Sequence, residues 1–281
     1  MNMKKRWNAF RKFWYRYSRV CIGSFMLVVL IIAAIFAPQL SGQDPNLMSM
    51  KDALQPPSAE HLCGTDSFGR DVFSRILYGA RVSLTVSLSV LVVIGIIGTA
   101  LGLLAGYYKT ADTIIMRIMD GLMAFPTVIL ALVILTVFGS GVSNLVLALS
   151  ITQLPRVVRT VRTSVISAKE LEHVEAARSM GASDLRIMVQ YIFPLCTSQL
   201  IIRLTLTMGL TILNEASLTF LGVGLDTDTP SWGIILSQAR QYITTSPYLT
   251  YLPGIAIVWS VLALNLLGDG LRDVLDPKLN S

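Results

Sequence analysis

Few residues of this chain have a type and spacing that could carry catalysis. A phosphate-cradling loop needs Gly-x-x-x-x-Gly-Lys-Ser/Thr. The nearest stretch, Gly102 through Lys109-Thr110, has Tyr108 where the second glycine should stand. The two histidines, His61 and His173, lie in different loops, and neither has a metal-ligand partner at helical spacing. Each reads as a solvated or locally bonded imidazole. Cys21, Cys63 and Cys196 match no disulfide framework or zinc spacing. Cys21 and Cys196 fall in apolar segments and read as buried structural thiols. His61 with Cys63 makes only two donors, too few for nickel. The catalytic and metal-ligating sets are therefore both empty. Two acids remain of interest: Glu215, deep in an apolar run beside Asn214 and Ser217, and Glu175, in a charged stretch.

What those acids do depends on the elements that hold them. Of 281 residues, 53% are hydrophobic and only 14% charged. Mean hydropathy is +0.62. Soluble domains carry about 25% charged residues, and the apolar residues here form long runs that suit a bilayer. The formal net charge of +6 does not point to nucleic acid. Seven cations crowd the first nineteen residues (Lys4, Lys5, Arg6, Arg11, Lys12, Arg16 and Arg19), immediately before an apolar run, as on a cytoplasmic flank.

The pattern predicts an all-α membrane protein with six transmembrane helices. A basic N-terminus, 1–19, leads into a first span, Val20–Pro38, too long for a signal peptide core. Residues 39–81 read as a large loop on the far side, broken by Pro45, Pro56 and Pro57. A five-helix core, 82–268, follows, with spans at Val82–Tyr108, Met119–Phe138 (kinked at Pro126), Val142–Leu154, Pro194–Leu221 and Leu249–Leu267. Its charged loop, 156–193, and both termini (the tail being 269–281) then share one side, which the positive-inside rule makes the cytoplasm. Gly98, Gly102 and Gly106 recur every four residues, giving either a close-packing helix face or ordinary membrane-helix glycines. Glu215 also has two readings. It is either a translocation-path residue, with Asn214 and Ser217, or a structural hydrogen bond to another helix. Arg203, twelve residues earlier and about 18 Å away along a helix, is too far to pair with it.

The charged loop contains Glu175-Ala176-Ala177, then Gly181, then Pro194. Gly181 suits a helix C-terminus, Ser183 a second helix's N-cap, and Pro194 the start of the next span. The stretch resembles the EAA loop of ATP-binding-cassette importer permeases. Tyr191 and Phe193 depart from the usual aliphatic residues but stay apolar or amphipathic. Gly64 to Arg75, Tyr78 to Leu84, Phe220 to Gly224, Pro230 to Gly233 and Asn265 to Pro277 resemble the peptide/nickel branch, in particular its C-type partner. The resemblance covers roughly His61 to Lys278. It implies a type I importer permease fold in a bacterial cytoplasmic (inner) membrane. Glu175, Ala176, Ala177, Gly181 and Pro194 would be the coupling residues. The implied partners are a second homologous permease, two ATP-binding subunits, an extracytoplasmic solute-binding protein and membrane lipid, with no nucleic acid. The resemblance implies that ATP and Mg are bound by the ATPase partners and that this chain binds no cofactor. Di- or oligopeptides lead as substrate. Nickel, metal-chelate or glutathione-like cargo, and a non-transporting scaffold of the same fold, stay open.

Overall fold

A computed structural model describes residues 3–275, with side chains from Tyr17 onward. Apart from one bridge between Thr65 and Asp71, the regular elements among these residues are helical. In order they are α1 (Met3–Ile35), α2 (Ala37–Ser41), α3 (Val72–Tyr107), α4 (Lys109–Met123), α5 (Thr127–Phe138), α6 (Val142–Ala168) and α7 (Glu172–Ser179). There follow α8 (Asp184–Arg186), a π-turn (Ile187–Ile192), α9 (Phe193–Phe220), α10 (Trp232–Ala239) and α11 (Tyr248–Leu275). Among the described residues four helical stretches are long and apolar enough to cross a membrane: Tyr17–Ile35, Val72–Tyr107, Asp184–Phe220 and Tyr248–Leu275. The α4–α5 pair makes a fifth only if its 91° bend is counted within one span. By length and apolar content alone, the described helices thus supply four spans, or five with the bent pair. The α6 helix has 27 residues, but Arg156, Arg159 and Arg162 lower its apolar content.

Several boundaries move, each for a local reason. The helix expected from Val82 begins at Val72, because Asp71 caps it by accepting from the Ser74 N–H at 2.7 Å. Two of the charges that made 70–81 look like loop, Arg70 and Arg75, are buried and partnered inside the chain. Asp66 accepts from Arg70 Nε at 2.7 Å and lies 3.6 Å from Arg75, while Gln238 of α10 accepts from both arginines. The expected span Met119–Phe138 is two helices rather than one kinked helix, since Pro126 adopts ψ 132° and has no N–H to continue the ladder. Residues 156–168, expected to continue as helix at the near surface beyond Pro155, extend α6 as part of the same helix. The span expected from Pro194 already begins at Asp184, because the π-turn widens the helix just ahead of the proline. Residues 269–275, expected in a polar tail, extend α11 along α1, where Arg19 meets Asp273 at 3.1 Å. The remainder of that tail, 276–281, lies outside the described residues.

The closest helix packing joins α3 to α6. A Cβ built on Gly98 would meet Val157 at 2.8 Å, one on Gly102 would meet Val161 at 2.6 Å, and one on Gly106 would meet Val165 at 2.5 Å. Both rows repeat every four residues, so a ridge of valines lies in a groove of glycines. Gly23 does the same for α1 against the α11 backbone at Leu267. Trp232, fully buried, wedges α10 against α3 and donates from Nε1 to the Ile76 carbonyl at 3.0 Å. The outer faces carry exposed Ile31, Ile96, Val137, Ile201 and Val258, as a lipid-facing surface requires.

Candidate functional site

The Glu-Ala-Ala segment forms α7, a two-turn helix lying between the ends of α6 and α9. Its two alanines do different jobs. Ala177 and Val174 are buried and seat the helix, whereas Glu175 and Ala176 are exposed. Gly181 adopts φ +81°, which only glycine takes without strain, and a side chain there would meet nothing within 4 Å. Its role is thus backbone reversal, not close contact. Ser183 makes no side-chain cap, contrary to expectation. Asp184 instead looks across to the end of α3, where it accepts from the hydroxyls of Tyr107 at 2.6 Å and Tyr108 at 3.0 Å. Arg178 donates to Tyr107 Oη at 3.4 Å and sits 5.7 Å over that ring. The bond to Asp184 raises the Tyr108 phenol above its ordinary value. A clamp of two tyrosines, one acid and one arginine thereby ties the α7 turn to α3. Around it Leu171, Met180, Leu185 and Val189 are exposed apolar side chains, an arrangement that fits a protein partner. Pro194 lies one turn beyond, exposed at the start of α9.

Glu215 is not with its sequence neighbours. It is fully buried in the chain, accepting from Ser83 Oγ of α3 at 2.8 Å and from Thr219 Oγ1 at 3.3 Å. Asn214 and Ser217 are half-buried on another face of α9, and the Ser217 hydroxyl is occupied by the Leu213 carbonyl at 2.7 Å. The three residues form no common polar surface. Within this chain Glu215 ties α9 to α3. The thiols separate likewise: Cys196 is buried, but Cys21 is exposed on α1, so its expected burial is corrected. His61 is buried with Nδ1 3.0 Å from Asp71.

A cavity of about 1010 Å³ opens on a different surface. It lies between α6, α9 and the end of α4, and runs from mid-helix to Leu171 just ahead of α7. Arg156, Thr160, Thr163 and Ser167 line one wall and Gln199 and Arg203 the other. These residues were read from sequence only as loop charges and span interior. Their spacing on α6 (156, 160, 163, 167) was the available signal of one polar helix face.

A polytopic helical membrane protein with an exposed surface helix between two spans defines the class. Residues 98–281 match the family of binding-protein-dependent transport system inner membrane components, and the chain belongs to that family. It is thus an inner-membrane transport permease, a subunit that is not itself a catalytic enzyme. It is 44% identical over 276 residues to a glutathione transport system permease of Pectobacterium atrosepticum, with 96% of this chain and 92% of that one covered. A di/tripeptide transport system permease of Pseudomonas aeruginosa is 41% identical, with 96% and 93% covered. A dipeptide transport system permease of Alkalihalophilus pseudofirmus is 42% identical, with 92% and 86% covered. A crystal structure of an amino acid ABC transporter with histidines shares the fold at TM-score 0.53 and 19% identity, covering 73% of this chain and 94% of that one.

Proposed function

We propose that this chain is one of two permease subunits of an importer for peptide-type solutes, driven by partner ATPases through α7. The observation that carries the reading is α7 itself, a short helix with Glu175 and Ala176 exposed, reversed at Gly181 and fastened to α3 by Tyr107, Tyr108 and Asp184. A push on α7 is then delivered to two spans at once, α3 and α9. In this reading α6 and the bent α4–α5 pair complete six crossings, and both termini are cytoplasmic. ATP and Mg belong to two ATP-binding subunits, and a solute-binding protein delivers cargo from the far side. Glutathione is a compatible cargo, because one relative is a glutathione permease and glutathione is itself a small peptide.

The test is reconstitution with the second permease, both ATPases and the binding protein, followed by Gly181→Val. A β-branched residue cannot hold φ +81° without strain of about 1–3 kcal/mol. Uptake of a labelled dipeptide should fall at least severalfold, while the binding protein's own affinity stays unchanged. Unaltered uptake would remove α7 from the coupling role. A reporter fused after Ser281 that is active only outside the cytoplasm would overturn the topology.

A further inference from the structure

Helix α6 carries two faces of opposite character. Val157, Val161 and Val165 pack into the α3 glycines, while Arg156, Thr160, Thr163, Ser164 and Ser167 face the cavity. A polar stripe on a membrane helix must face protein or water rather than lipid tails. Arg203 reaches the same space from α9, a helix that crosses the membrane. The charge here is not neutralised. Arg159 is paired with Asp120 at 2.5 Å, but Arg156 donates only to the Gln153 amide oxygen at 3.1 Å, and Arg203 only to the Thr160 hydroxyl at 2.9 Å. Among the described residues neither of those two guanidinium groups has a carboxylate partner.

Two unneutralised guanidinium groups with hydroxyls alongside are suited to a carboxylate, which guanidinium binds bidentately. The cavity is also of ligand-binding size, since such sites run to about 1,000 Å³. We propose that this groove is the inner half of the solute passage and that Arg156 and Arg203 receive the carboxylate of the passing peptide. The proposal rests on the importer reading above and names the chemical group that the passage selects. It also places the passage on α6 and α9 rather than at Glu215, Asn214 and Ser217.

The test uses the assembled complex carrying Ser164→Cys with Cys21 and Cys63 replaced by serine; Cys196 is buried and stays. Labelling by an anionic sulfonatoethyl methanethiosulfonate should outpace a cationic trimethylammonium reagent by about tenfold, as a focused positive field demands. Millimolar dialanine should slow the labelling, and its C-terminal amide should not. Both effects should vanish with R156Q or R203Q, while assembly with the partner subunits is retained, and R203K should restore most of the field. Equal reagent rates, or equal protection by acid and amide, would overturn the proposal. So would blocking by phosphatidylglycerol in nanodiscs without any effect of dialanine, which would assign the groove to a lipid headgroup. Dialanine uptake by the parent complex keeps the two failures apart. Uptake without protection sinks the groove proposal alone, and protection without uptake sinks the importer reading and the passage with it, leaving only a carboxylate-binding groove.

Discussion

Glu215 shows how burial decides a residue's work. An unpaired buried acid is costly, and here Ser83 and Thr219 supply the hydrogen bonds. Glu215→Gln keeps a hydrogen-bonding group at the same place, so uptake should stay close to the parent's. Glu215→Leu strands the Ser83 hydroxyl and should cost about 1–3 kcal/mol, read as a lower unfolding midpoint in detergent. Uptake lost with the glutamine and an unchanged midpoint would instead return Glu215 to the passage. At the α7 clamp, the raised Tyr108 phenol means that the neutral hydroxyl is the form bound to Asp184. That contribution is present below the ordinary tyrosine range and is lost as pH rises through the raised value. The protection of the α7 amides, corrected for the base-catalysed intrinsic exchange rate, should therefore fall only at strongly alkaline pH, and Tyr108→Phe should shrink the step to what the Tyr107–Asp184 bond supplies.

At the scale of elements, the α3–α6 pair makes the sharpest demand. A methyl group on Gly102 would stand 2.6 Å from Val161 Cβ and 3.0 Å from the Val158 carbonyl. Gly102→Ala should thus destabilise the fold by about 1–3 kcal/mol through overpacking. Gly121 in α4 has nothing within 4 Å, so Gly121→Ala is the matched control and should leave the unfolding midpoint unchanged or higher. Equal midpoints for the two variants would dispute the packing. The four-residue glycine period was legible beforehand, but its partner was not. Val157, Val161 and Val165 lie in a stretch whose arginines made it look like loop. Charges also hid the α3 start, because Gln238, which accepts from both Arg70 and Arg75, lies far along the chain in α10.

For the whole molecule, the loop between α2 and α3 is sealed onto the bundle by a buried ionic network. Asp66 and Arg75 are both buried, and Tyr248 of α11 donates to the Gln55 and Thr65 carbonyls at 2.9 and 3.0 Å. Asp66→Ala would leave Arg70 and Arg75 buried without a carboxylate, at a cost of about 3–5 kcal/mol. Limited proteolysis within residues 42–71 should speed up markedly, with the unfolding midpoint lowered. An unchanged cleavage rate would mean that the loop is held by its apolar contacts alone. Seating of this loop gives α3 a fixed end opposite the α7 clamp.

The amino-acid sequence by itself determined that the chain is a helical membrane protein. Apolar run length and the polarity of what lies between are local properties, and the bilayer reads them directly. It also made the α7 turn legible, because Gly181 can take the positive φ that a helix reversal there requires. Only the tertiary structure decided which polar residues are buried against one another and which face open space. Glu215 meets Ser83, Asp184 meets Tyr107 and Tyr108, and Arg203 meets Thr160 across long sequence separations. Those pairings depend on how one helix is rotated and set in register against the next. A glycine groove filled by valines sets that register for α3 and α6, and it turns Arg156 toward the cavity.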